Sequence, residues 1–225
     1  MKIHIAGEDA LIIYFAEQAS PHIAAKIQKA VTLLQKDCHD VLIDLVPSYA
    51  SLLIIFDLFK CDHHQLRNRI RVSLLGLNHV DKLEGKLIEL PAYYNEKVGL
   101  DLQRIAEKAQ ISTAEVIDIH QSLEYHVYAI GFAPGFAYLG YVDQRIAMPR
   151  LKTPRMKVPK GAIAIADRQT AVYPSVSPGG WNIIGLCPVD MFNVENDPIM
   201  PVSVGDRIKF CPVNQQEFLR LGGQL

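Results

Sequence analysis

The chain has almost no net charge. Its 23 Lys and Arg face 24 Asp and Glu, a formal balance of −1, so no global field recruits nucleic acid or an anionic membrane. It also lacks a GxxxxGK[ST] phosphate loop, a GxGxxG fingerprint and a GxSxG elbow. A nucleotide, if used, is then not held by a common phosphate loop, and a self-contained serine or cysteine hydrolase is not expected. No apolar run approaches the length of a membrane span. MKIHIAGEDALIIYF reaches a charged Gly-Glu-Asp turn at once, so neither a span nor a leader is expected. The four cysteines, Cys38, Cys61, Cys187 and Cys211, lie far apart and form no CxxC. They read as free thiols, small buried hydrophobes in a reducing cytoplasm. Repeats, low-complexity tracts and charged tails are absent too. What is present is an ordinary globular composition, 49% apolar and 21% charged over 225 residues, enough for one large domain or two small ones.

Residues 1–85 have the texture of a small α+β domain. Lys2–Ala6 and Ala10–Phe15 are apolar runs joined by Gly7-Glu8-Asp9, a hairpin signal. Ser20-Pro21 starts a helix in which Ile23, Ile27, Ala30, Val31 and Leu34 recur at helical spacing. Val41–Pro47 and Ser51–Phe56 predict two more strands, and Asp62 caps a helix running through Leu75. The order ββαββα implies helices packed on one antiparallel sheet, a two-layer arrangement. Cys61-Asp62-His63-His64 reads as a helix start, because adjacent helical residues point about 100° apart and rarely chelate one ion. No metal is expected. Leu83–Lys86, with Gly85 as its flexible point, is the predicted joint.

Residues 86–225 differ. A strand over Lys86–Ala92 and a short helix over Asp101–Ala109 precede Ser112-Thr113-Ala114-Glu115, a capping box for a helix ending near His120. From Leu123 onward only short strands and loops are predicted, with strands at 123–130, 161–165, 170–173, 181–185 and 207–211. Such a run implies a closed or nearly closed β-barrel with long functional loops.

Those loops concentrate the chemistry. Seven of 14 Gly and seven of 13 Pro lie between Ala129 and Pro188, which specifies loops of defined shape. From Gln144 to Ala166 there are six basic residues and no acidic one, a local electropositive surface suited to a carboxylate or phosphate. Arg150, Arg155 and Lys160, each beside Pro or Gly, are the candidate anion ligands. In Ser177-Pro178-Gly179-Gly180-Trp181, successive backbone N–H groups can converge on an anionic oxygen while the indole covers an apolar face. Gly131–Gly140 carries Phe132, Phe136 and Tyr138 around Pro134-Gly135. His120, at a helix C-terminus whose macrodipole favours the cation, is the acid–base candidate, with Glu124 as its partner. Gln169 and Thr170, just before Tyr173, offer neutral polar contacts that fix orientation.

HQSLEYHVYAIGFAPGFAYLG, TPRMKVPKGAIAIADRQTAVYP and SPGGWNIIG resemble the KipI / allophanate hydrolase subunit 1 family, over essentially the whole chain in length and order. Its motif positions fall on His120, Glu124, Phe132, Pro134, Gly135, Phe136, Tyr138, Arg150, Gln169, Tyr173 and Ser177 through Trp181. Cys187-Pro188 departs from the Thr-Pro type expected after Ile-Gly. The resemblance implies an α+β N-terminal two-layer domain (1–85) followed by a mainly-β cyclophilin-like barrel domain (86–225) carrying the site. Within the family the motifs are most like those of ATP-dependent 5-oxoprolinase. The implied partners are two further chains of that enzyme, its C component, which is allophanate hydrolase subunit 2-like, and its A component, with ATP as co-substrate. The family also implies two alternatives: an inhibitor of a sporulation histidine kinase, and half of the carboxyl-transfer module of a biotin-dependent urea carboxylase. The expected roles are proton transfer by His120, orientation of a lactam by Gln169, and anion binding by the cations and the Gly179-Gly180 amides.

Overall fold

Leu11, Ile13, Leu52, Ile54 and Phe56 fall at alternate positions of two strands, and strand geometry sends alternate side chains to one face. In the computed structural model, which describes residues 1–77 and 85–225, they form the buried face of a four-stranded antiparallel sheet. Its strands are β1 (Lys2–Gly7), β2 (Ala10–Tyr14), β3 (Leu42–Pro47) and β4 (Ser51–Phe56), in the order β1-β2-β4-β3. Two helices, α1 (Pro21–Asp37) and α2 (His63–Ser73), bring Ile27, Ala30, Leu34, Leu66 and Ile70 onto the same core. Ser20 caps α1 by accepting the Ile23 N–H, and Asp62 forms a reciprocal capping box with Gln65. The adjacent histidines diverge: His63 reaches the Gly7 carbonyl (3.0 Å), while His64 meets Asn68 (3.3 Å). Among the described residues no group of three His, Cys, Asp or Glu is placed to hold a metal.

The chain forms two compact units, Met1–Gly85 and Lys86–Leu225. Of the expected joint, Leu83 and Glu84 lie outside the described residues.

The second unit runs β5 (Leu87–Ala92), α3 (Leu102–Ala109), α4 (Thr113–Ser122), β6 (Glu124–Ile130), β7 (Ala137–Gly140), β8 (Arg155–Val158), β9 (Ala162–Ala166), β10 (Gln169–Val172), β11 (Ser177–Gly179), β12 (Asn182–Leu186), β13 (Arg207–Pro212) and α5 (Gln215–Arg220). Seven strands form one sheet in the order β12-β9-β10-β7-β6-β13-β5, with β8 and β11 as a separate ribbon. The sheet curls back on itself: Tyr93, just past β5, and Leu186, at the end of β12, exchange both backbone hydrogen bonds (2.8 and 2.9 Å). The expectation of strands and loops alone after Leu123 is corrected by α5. Asn214 caps that helix, and its Phe218 stacks on Tyr93 at 5.3 Å.

Both faces of this sheet are covered at β9. Its sequence AIAIA sends Ile163 and Ile165 into a cluster with Tyr125, Val127, Leu139, Val172, Ile184 and Phe210. Ala162, Ala164 and Ala166 face the other way, with Ala171, among Phe136, Tyr173 and Trp181. Methyl groups there leave room for the rings. The turn into β9 depends on Gly161, whose φ is +79° and whose missing Cβ would fall on the Cys187 carbonyl oxygen. Gly161→Ala should cost about 2 kcal/mol or more from left-handed strain plus the clash. A urea titration of purified protein, read as a lower midpoint at unchanged slope, checks this.

A candidate anion-binding aromatic cleft

On the alanine side of the sheet a cleft of about 280 Å³ opens. Its walls are Phe132, Phe136, Tyr138, Tyr173 and Trp181, with Pro154, Pro178, Gly179 and Gly180 along the loops and Arg150 among them as the cation. The rings hold each other by edge-to-face packing centred on Phe136. They lie 4.9 Å from it at Tyr138, 5.2 Å at Phe132, 5.3 Å at Tyr173 and 5.5 Å at Trp181. The Tyr173 hydroxyl accepts a backbone hydrogen bond from Trp181, while burial raises its pKa. Gly179 is required by closeness, since a Cβ there would strike that hydroxyl; at Gly180 the space is ordinary.

Arg150 lies with its guanidinium 5.7 Å from the centre of the Trp181 ring, within cation–π range. Among the described residues no acidic group lines the cleft, and Arg150 has no ion-pair partner. The other proposed cations are neutralised elsewhere. Arg155 forms a two-pronged pair with Asp101 (2.9 Å each), and Lys160 pairs with Asp190 (2.5 Å). Of the basic candidates, only Arg150 lines the cleft. Pro134 and Gly135 shape the loop before β7, which closes through Gly131 N–H to Phe136 O (3.0 Å), and Gly135 backs onto the Met191 carbonyl. Ser177 is a ribbon residue paired with Val158.

His120 corrects an expectation. In β10, Gln169, Ala171 and the following Tyr173 alternate with Thr170 and Val172. The His120 Nε2 sits 2.9 Å from Thr170 Oγ1, whereas Ala171 and Tyr173 belong to the cleft side. The sheet therefore separates His120 from the cleft. Its Nδ1 lies 2.8 Å from the Tyr94 hydroxyl and its ring packs on Phe210 at 4.7 Å. The residue is 0% exposed, and burial pushes its pKa down from 6.5 to about 3. Desolvation overrides the helix dipole, which acts mainly on partly exposed groups. Glu124 is not its partner, being paired with Arg207 at 2.7 Å. Gln169 pairs in the sheet with Gly140 and Ala166. Four residues of strand place it about 13 Å from Tyr173. His120, Arg150 and Gln169 do not converge.

A polar frame behind the cleft was not legible beforehand. Asp101, at the N-cap position of α3, makes no side-chain cap; its carboxylate instead grips Arg155 and accepts the Ile183 N–H (2.7 Å). Asn182 is wholly buried, with partners on three sides. The position of Asp101 at a helix start concealed its use, and nothing in the sequence marks Asn182.

The curled-sheet fold is shared with solved structures. The chain belongs to the family described as carboxyltransferase domain, subdomain C and D, whose model matches residues 1–202. It is 31% identical over 227 aligned positions to the B subunit of 5-oxoprolinase from Bacillus subtilis, covering 96% of this chain and 95% of that protein. The crystal structure of TTHA0988 superposes with a TM-score of 0.78 at 30% identity, over 91% of this chain; the chain spans 40% of that longer protein. Kluyveromyces lactis urea carboxylase shares the fold, with a TM-score of 0.76 at 16% identity over 97% of this chain and 22% of that one. No helix among the described residues is long and apolar enough to cross a membrane.

Because His120 is neutral when folded, the unfolded chain binds one proton more between its ordinary 6.5 and about 3. Stability contributed at neutral pH is therefore lost as pH falls below about 6.5, at up to about 1.4 kcal/mol per pH unit. His120→Gln retains a donor and an acceptor but cannot titrate. Urea unfolding of both proteins between pH 7 and 5 should show a steeper loss in the wild type.

Proposed function

We propose that the chain serves as the B component of an ATP-dependent 5-oxoprolinase, which converts 5-oxo-L-proline, ATP and water to L-glutamate, ADP and phosphate. The observation that carries this is Arg150, a cation laid over Trp181 in an aromatic cleft, with no ion-pair partner and no acidic cleft residue among those described. 5-Oxoproline is a flat five-membered lactam bearing one carboxylate. The carboxylate would take Arg150, charge-assisted and two-pronged, while the ring packs between Phe136, Tyr138 and Trp181. The Bacillus subtilis relative, named for 5-oxoprolinase, supports the assignment.

The lactam is stable in water, so its amide oxygen needs activation, and ATP supplies that as co-substrate. This chain carries no common phosphate loop, and its cleft cation is assigned to the carboxylate. We therefore assign the nucleotide to the assembled complex with the C component, allophanate hydrolase subunit 2-like, and the A component. Proton transfer is assigned there too, because the titratable groups lining the cleft, among the described residues, are Arg150 and two tyrosines. His120 keeps a structural role in the barrel. The four free cysteines are in keeping with a cytoplasmic complex.

A second reading draws on the family description and the fold shared with urea carboxylase. In a carboxyltransferase half, the same cleft would bind a carboxylated substrate through Arg150. ATP hydrolysis by this chain with its A and C partners separates the two. Turnover requiring all three chains and 5-oxoproline is expected, and Arg150→Ala should lower kcat/KM about a hundredfold with assembly intact. ATP hydrolysis indifferent to 5-oxoproline in the intact complex would sink the assignment.

A further inference from the structure

Arg150 lies on an irregular segment between the short 3-10 turn Gln144–Ile146 and β8, where no regular strand fixes its direction. Two hydrogen bonds flank it. The Leu151 N–H donates to the Gly180 carbonyl (2.7 Å). On the other side, the Asn182 Nδ2 donates to the Pro149 carbonyl (3.0 Å). The segment Pro149–Leu151 is thus laid alongside Gly180–Asn182, one tie made by backbone and the other by a side-chain amide. Arg150 falls between the ties and Trp181 falls opposite, which puts the guanidinium over the indole.

We propose that Asn182 is a positioning residue for anion binding, acting on ligand through Arg150 rather than touching it. Every polar function of its side chain is engaged. The second Nδ2 hydrogen donates to the Ile165 carbonyl in β9 (3.0 Å), and Oδ1 accepts from Arg104 Nη1 (2.6 Å). The amide therefore has one orientation and joins α3, β9 and the Arg150 segment. Asp101 adds a second brace. By accepting the Ile183 N–H and holding Arg155 it fixes the residues just after Asn182 and just after the cleft-lining Pro154. A buried polar side chain costs stability unless fully hydrogen-bonded, and an apolar residue would fill the space at no such risk. Asparagine here does what an apolar residue cannot, which is to hold a carbonyl on an irregular loop.

The inference rests on the proposed function only in taking Arg150 as the ligand's cation, and it can be tested without a ligand. Trp181 is the only tryptophan in the chain, so its fluorescence reports this spot alone. A guanidinium over the ring concentrates iodide, an anionic quencher, relative to neutral acrylamide. The ratio of the two quenching constants is measured at fixed ionic strength in wild type, Arg150→Gln, Asn182→Ala and the double variant. Arg150→Gln should lower the ratio about twofold. Asn182→Ala should lower it comparably, and lower it no further when combined with Arg150→Gln. Asn182→Asp keeps the volume and the Arg104 contact but turns an oxygen toward both carbonyls; it is run through the same cycle and carries the test if Asn182→Ala does not fold. Equal decreases whether or not Arg150 has been replaced, or no decrease at all, overturn the proposal. Separately, 5-oxoproline added to wild type should shift Trp181 emission. Failure of that shift counts against the proposed substrate while leaving the quenching cycle decisive for Asn182.

Discussion

Burial of the curled sheet on both faces around β9, β10 and β12 constrains the region that carries the cleft. Once β9 and β10 are packed on both sides, each of their apolar residues falls in one cluster or the other, because strand side chains alternate in a regular ladder. Branched aliphatics fill one side, and alanines admit large rings on the other. The same alternation puts Thr170 with His120 and Tyr173 with the cleft, so adjacent stretches of chain take up unrelated chemistry. An imidazole sealed among Phe210, Tyr125 and Tyr94 then serves as a neutral hydrogen-bonding plug. The cleft lies on the other side of the sheet, with Arg150 in its lining.

The single positive charge among the described residues lining the cleft is what remains after subtraction. The stretch from Gln144 to Ala166 is rich in cations, yet Arg145 pairs with Asp143 and Arg155 with Asp101. The Asp143 carboxyl, beside Arg145, is held down at about 2, so that pair persists across the ordinary pH range. Lys160 is drawn off by Asp190. The cation left facing the aromatic cleft is the one laid against a ring face, an interaction weak enough for a carboxylate to compete with.

Most elements were legible because their signals are local. Ser20, Asp62 and Ser112 cap the helices they were expected to cap, since a cap involves residues three apart. The aromatic and glycine loops that line the cleft are legible for the same reason: composition alone marks Phe132 through Tyr138 and Ser177 through Trp181. What escaped depends on contacts between distant segments. Asp101 looks like an ordinary helix start until Arg155 and Ile183 are brought to it, and Glu124 looks like a partner for His120 until Arg207 is. The charge expected of His120 differs from that in the structure because helix position is local whereas burial is global. The helix α5 leaves no sequence signal because six residues carry too little periodicity.

Phe132 stands at the mouth of the cleft with φ at +74° and two-thirds of its surface exposed. A bulky side chain in that left-handed region costs of order 1–2 kcal/mol, and an exposed ring recovers little of it by burial. Glycine would relieve the backbone and remove the ring together. At this position backbone ease and the aromatic wall are in opposition: a residue that relaxes the chain removes part of the lining. The phenylalanine that is present keeps the wall at the backbone's expense.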